Sequence, residues 1–341
     1  MKKNNSFRGT LLKVTAFAFV IALASCGKSD TLVNNEEQTI SGADKNSANV
    51  LYTNEVRASG SNFIWRVNNV DQGTTSSLAT AINNAIGTGN REVHVLNGGT
   101  LSAQVNLQPG LTLYCHNVTF NKNHTGYGFF RDGTGGIKIY DMTLNNNTNM
   151  GIRTSRASDI YIQNVKIYGG SIGIRIDSHP SRPYEPGRWV FNVHIQDCRF
   201  ENGSSHGLET YAVDGFKGYG IVARNMGECG VLLNQTINGT LGTVNAYRCG
   251  NGGGYAGLRL ANSCARVTTD MLYADQCGRG YFVLSGSNNS TLKNCRITNG
   301  TGIGVWLENV VNCAVLAGCT NDGVSVSGSG SYANVSTSGC P

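Results

Sequence analysis

The stretches "GVLLNQ", Gly230–Gln235, and "GLRLAN", Gly257–Asn262, are written on one plan: a glycine, then apolar side chains one and three places later. Setting other glycines in that register adds "GFFRDG" at Gly128, "GIRTSR" at Gly151, "GIRIDS" at Gly173 and "GLETYA" at Gly207. The series continues with "GYFVLS" at Gly280, "GVWLEN" at Gly304 and "GVSVSG" at Gly323. Members recur at roughly 20 to 35 residues, the period of a solenoid. Between them lie further runs with period-two alternation, "IKIYDMTL", "IYIQNVKI", "VHIQDCRF" and "STLKNCRI", so each repeat holds two or three short strands. A unit this small cannot bury its apolar side alone and must stack on its neighbours.

Composition agrees. The 341 residues include 45 glycines and only 5 prolines, with Asn, Ser and Thr between the apolar runs, which argues against a helical bundle. Glycine and asparagine are expected at tight corners, where positive backbone angles cost them least. Parallel stacking would place equivalent residues about 4.8 Å apart, one set facing a narrow core and the other facing out. The expected fold class is all-β, a parallel β-helix over residues 50–341. A helix in "TSSLATAINNAIG", with Thr75 or Ser76 as its cap and Leu78, Ile82 and Ile86 on one face, is suited to covering the open N-terminal end. From about Val93 onward the chain resembles the right-handed parallel β-helix of the pectate-lyase type.

Residues two and four places after each glycine should point outward. The first outward column reads Phe130, Arg153, Arg175, Glu209, Leu232, Arg259, Phe282, Trp306, Ser325, and the second reads Asp132, Ser155, Asp177, Tyr211, Asn234, Ala261, Leu284. Both are expected to face solvent. Arg153 and Arg175 would be adjacent rungs, an unfavourable pairing unless an acidic ligand or Glu209 balances it. The alternative is a purely structural ladder in which Arg175 pairs with Glu209. Arg259, Phe282 and Trp306 continue the stripe in a manner suited to sugars. His206 precedes the Tyr211 strand, and His179 opens the insertion "SHPSRPYEPGRW", whose Arg182, Tyr184 and Arg188 could wall a groove.

These residue types match the needs of β-elimination on a uronate polymer: a group to neutralise the carboxylate, a base for the adjacent proton and an acid for the leaving oxygen. Tyr211, His206, Arg175 and Glu209 are the candidate catalytic residues, with Lys217 in "DGFKGYG" as a second base. Arg153, Asp177, His179, Tyr184, Asn234, Arg259, Phe282 and Trp306 are candidates for substrate binding. The stretch "HG-x-E-T-Y" at His206–Tyr211 resembles the small alginate lyases among β-helical polysaccharide lyases. That resemblance implies an acidic-polysaccharide groove across one parallel sheet, with base and acid roles for a tyrosine and a basic partner, here Tyr211 and His206. No aspartate cluster like the calcium sites of pectate lyases is found, so no metal or other cofactor is expected. Two other readings stay open: an inverting glycoside hydrolase using Asp177 and Glu209, whose backbones should lie about 8 Å apart, and a non-catalytic carbohydrate-binding β-helix.

The chain opens "MKKNNSFRGTLLKVTAFAFVIALASC", a basic start and a short apolar run that read as an export signal over residues 1–26. The residues before Cys26 resemble a bacterial lipobox, which implies lipidation of Cys26 and a membrane-anchored, exported lipoprotein. Residues 27–49 are polar and read as a flexible tether. Loss of Lys2, Lys3, Arg8 and Lys13 would take the net charge from +6 to +6 − 4 = +2, giving no reason to expect a nucleic-acid partner. A monomer is expected, touching the membrane only through its anchor. Of 11 cysteines ten follow Cys26, without Cys-x-x-Cys pairs, so zinc is not expected. Cys249 and Cys277 fit small buried positions.

Overall fold

The computed structural model describes residues 51–182, 185–250, 254–284 and 286–340. The signal segment, Cys26, the tether and Tyr184 lie outside the described residues. Val50–Pro341 form one compact unit, a parallel β-solenoid whose smaller sheet has ten strands, one per coil, and whose larger sheet has eighteen. An antiparallel meander, Glu55–Ser59, Asn62–Val67 and Val70–Thr75, precedes the coils. No helix among the described residues is long and apolar enough to cross a membrane.

The positions one and three after each glycine form the core as the pattern requires. Ile174, Ile176, Leu208, Val231, Leu233, Leu258 and Leu260 are fully buried, each worth roughly 1.5–3 kcal/mol of transfer free energy. The helix spans Leu78–Ile86 and buries Leu78, Ile82 and Ile86 against the first strands. Its N-cap is Ser77, whose hydroxyl accepts from the Thr80 N–H at 3.2 Å, one or two residues beyond the caps expected from sequence.

The glycine column has a different cause from the one its composition implies. Gly128 through Gly304 do not adopt left-handed backbone angles; only Gly323 in the series does, at φ 81°. They are required by close approach. A Cβ on Gly151 would lie 2.8 Å from the Gly173 carbonyl oxygen, one on Gly173 2.5 Å from that of Gly207, and one on Gly207 2.6 Å from that of Gly230. Each glycine therefore admits the next. Gly173→Ala, whose methyl would also sit 2.3 Å from Phe200 Cδ1, is expected to cost about 1–3 kcal/mol through overpacking. Urea unfolding measures this; unchanged stability would mean that coil spacing is set elsewhere.

The corners do use left-handed residues. Asp141, Asn164, Asp197 and Gly220 stack at one bend with φ of 58°, 52°, 50° and 61°, and Asn164 Nδ2 donates to Asp141 Oδ1 at 2.8 Å. Short polar side chains that tolerate this region and bond locally explain why Asn and Asp, rather than Gly alone, hold these turns. Cys319 and Cys340 form a disulfide across 21 residues. The other eight described cysteines, Cys249 and Cys277 among them, are buried thiols, and burial pushes Cys198 up to about 12.

Candidate functional site

The outward columns stack in the register read from the sequence. Phe130 pairs with Arg153, Arg153 with Arg175, Arg175 with Glu209, Glu209 with Leu232, and Leu232 with Arg259. Arg259 then pairs with Phe282, Phe282 with Trp306, and Trp306 with Ser325. Tyr211 pairs with Asn234 in the second column.

The expectation that these columns face open solvent is corrected. Arg153 is 7% exposed, His206 6%, Glu209 3%, Asn234 2% and Asp177 0%. Large neighbours and the insertion cover them: Arg153 Nη1 donates to Tyr127 Oη at 2.6 Å, and its Nη2 donates to the carbonyls of His179 at 3.3 Å and Pro180 at 2.7 Å. His179 thus contributes its backbone to Arg153, while its ring Nδ1 accepts from the Ser181 N–H. Tyr211, Arg259 and Trp306 remain partly exposed.

The two stacked arginines are balanced from within. Asp177 Oδ2 lies 3.0 Å from Arg153 Nη2 and 3.0 Å from Arg175 Nε, and its Oδ1 accepts from Ser155 Oγ at 2.5 Å. Arg175 Nη1 also stands 3.2 Å from Glu209 Oε2. The structural ladder between Arg175 and Glu209 is therefore present, with Asp177 as the main counter-ion. Burial still raises the Asp177 carboxyl, against the hydrogen bond from Ser155 and both arginines. Burial also raises Glu209, outweighing Arg175 and the Tyr211 hydroxyl. Tyr211 is held well above the usual phenol range, first by burial and then by the charge of Glu209, while the Arg175 guanidinium sits 5.0 Å from its ring centre. It is a phenol at neutral pH and a proton donor.

His206 has a fixed tautomer. Its Nδ1 accepts from the Cys229 N–H at 3.0 Å, so the proton is on Nε2, directed at Glu228 Oε2 at 3.0 Å with Glu209 Oε1 at 3.7 Å. Burial, opposed by Glu228, lowers its pKa to about 4. This geometry makes His206 an orienting group rather than a free base. For Glu228, burial acts to raise the carboxyl, but hydrogen bonds from Ser205 and Tyr255, with His206 Nε2 at 3.0 Å, prevail and lower it. Between pH 6.5 and 4 the unfolded histidine takes up a proton and the folded one does not, so stability falls as pH falls through this window. The stability of the parent relative to His206→Gln is expected to shrink from pH 7 to pH 4. A constant difference would show that the imidazole stays in water.

Further along the stack, cations and rings alternate. Arg259 lies 5.9 Å from the Tyr255 ring and 5.3 Å from Phe282, and Arg279 lies 4.6 Å from Phe282 and 4.5 Å from Trp306. Phe282 and Trp306 stack at 4.9 Å. Neither arginine has a carboxylate partner among the described residues. Arg259 Nε, Arg279 Nη1 and Asn234 Nδ2 are buried donors without an acceptor, and Glu209 Oε2 lacks a well-directed donor. Buried polar groups are usually satisfied, so unmatched donors on neighbouring rungs set this part of the stack apart.

Lys217 does not join this group. It lies on Val213–Tyr219 of the larger sheet, between His194 and Thr240, because Ala212 turns the chain at φ 53° immediately after Tyr211. Conversely, Tyr127, Glu228, Tyr255 and Arg279 belong to the cluster and were not singled out from sequence. Tyr127 and Arg279 occupy the place just before the repeat glycine, the same place as His206, and reading that column would have found them. No protein-family model, curated protein or solved structure matches the chain.

Proposed function

We propose that the protein cleaves an acidic, uronate-containing polysaccharide by β-elimination, with alginate the first polymer to test. The row of unmatched donors, Asn234 Nδ2, Arg259 Nε and Arg279 Nη1, beside the Tyr211–Glu209 pair carries this reading. Arg259, partly exposed and without a carboxylate partner, would take the carboxylate of the sugar and stabilise the enolate-like charge that develops on it, with the buried donors behind it. Glu209, its basicity raised by burial, would remove the proton on the carbon next to that carboxylate. Tyr211 would give its phenolic proton to the glycosidic oxygen as that bond breaks and a carbon–carbon double bond forms. Glu209 would then lose its proton to solvent and Tyr211 regain one. Arg175 and His206 orient the pair; the partly exposed Trp306 offers ring surface to a neighbouring sugar, while Phe282, expected to do the same, is buried beneath it at 4% exposure.

Hydrolysis is the second reading, favoured by the raised carboxyls of Asp177 and Glu209. Against it, Asp177 is fully buried, with both oxygens engaged by Ser155, Arg153 and Arg175, leaving no face for a nucleophilic water. Incubation with alginate, pectate and a neutral glucan decides between them. Ultraviolet absorbance from an unsaturated uronate end is the expected result. New reducing ends without that absorbance would establish hydrolysis, and binding without shortening would establish a non-catalytic role.

A further inference from the structure

The larger sheet carries a concavity of about 630 Å³ on strands separate from the Tyr211 rows. Its floor is a registered column, Arg224, Tyr247, Asp275 and Thr298, beside a second in which Tyr273 pairs with Arg296. Asn321 and Cys340 form the end wall. Cys319 occupies the rung after Arg296 and is disulfide-bonded to Cys340, whose N–H donates to Asn321 Oδ1 at 2.9 Å.

The charge in this cavity is lopsided. Asp275 is occupied by Thr298 Oγ1 at 2.9 Å and Asn299 Nδ2 at 2.8 Å, whereas Arg224 and Arg296 have no side-chain partner among the described residues. Tyr273 is 43% exposed, so its ring is open to a ligand. The volume falls in the range of small-molecule sites, and the lining combines cations, amides and phenol rings. An apolar ligand would strand those groups; a carboxylated sugar satisfies them.

We propose that this concavity is a second saccharide site, taking an acidic oligosaccharide with its carboxylates on Arg224 and Arg296 and a sugar face on Tyr273, its end wall held by the Cys319–Cys340 bond. It shares with the preceding proposal only the acidic character of the polymer. A polymer held here and at the Tyr211 rows would bind more tightly than at either alone.

The test titrates a mannuronate hexamer, with a glucose hexamer as control, into the Tyr211→Phe protein by calorimetry. Adding Arg224→Ala and Arg296→Ala is expected to remove one bound mannuronate hexamer per chain with the circular dichroism unchanged. Arg296→Ala alone should weaken that site about 10- to 100-fold, the worth of a hydrogen bond to a charged group. Cys319→Ser with Cys340→Ser should weaken it as well. An unchanged number and affinity of hexamers in the double arginine variant, or equal binding of the glucose hexamer, would overturn the proposal. If the parent shows no elimination yet the arginine variant still loses a hexamer, the Tyr211 reading fails and this one stands.

Discussion

Tyr211→Phe is expected to lower turnover of an acidic polysaccharide about a thousandfold, within the range of a lost general acid, while binding of the polymer changes little. The substitution removes one oxygen. The ring that Arg175 faces at 5.0 Å remains, and so do the Arg175 contacts to Asp177 and Glu209. A fold change is therefore not expected, and the loss should appear in kcat rather than KM. The companion change Glu209→Gln should act in the same direction, because it removes the acceptor, but it also disturbs the ion pair with Arg175. The phenol substitution is the cleaner measurement. Full activity in Tyr211→Phe would exclude the hydroxyl as the acid.

Asp177→Ala should be among the most destabilising single substitutions in the coils, costing about 3–5 kcal/mol, the usual penalty for stripping a buried charge of its partner. Arg153 and Arg175 would be left on adjacent rungs, about one strand spacing apart, with Ser155 also deprived of its acceptor. Against a total stability of about 5–15 kcal/mol for a typical domain, that loss is visible in any denaturant titration. Converting Arg153 and Arg175 to Met in the same chain should recover much of it, since apolar replacement of a whole buried ionic group is often tolerated. A parent-like midpoint in Asp177→Ala would mean that water reaches the two guanidinium groups freely.

The glycine register was enough to read the coils and to predict which residues share a rung, from Phe130 to Ser325, because side-chain direction along a strand alternates without exception in these short segments. Depth was not legible. An outward direction says nothing about what lies over a residue, and the backbone carbonyls of His179 and Pro180 that cover Arg153 come from an irregular insertion without periodicity. Lys217 was misplaced for a related reason: only a turn at Ala212, a residue with no preference for positive φ, separates its sheet from that of Tyr211. Glu228 and Tyr255 reach the cluster from loop positions that precede the repeat glycines Gly230 and Gly257 by two residues each, a column that carries no pattern of its own. The neutral state of His206 was equally hidden, since its tautomer is decided by a backbone N–H one coil away.

The glycine column also bears on how this molecule would come apart. Because Gly151, Gly173, Gly207 and Gly230 each make room for the neighbour above, and stacked repeats cohere through nearest neighbours, damage at one of them acts as a cut across the whole stack. A bulky residue at Gly207 should divide the chain into a shorter stack ahead of it and another behind, melting as separate blocks where the parent melts as one. Lesions near Gly304 would trim only the tip and spare the coils that carry Tyr211.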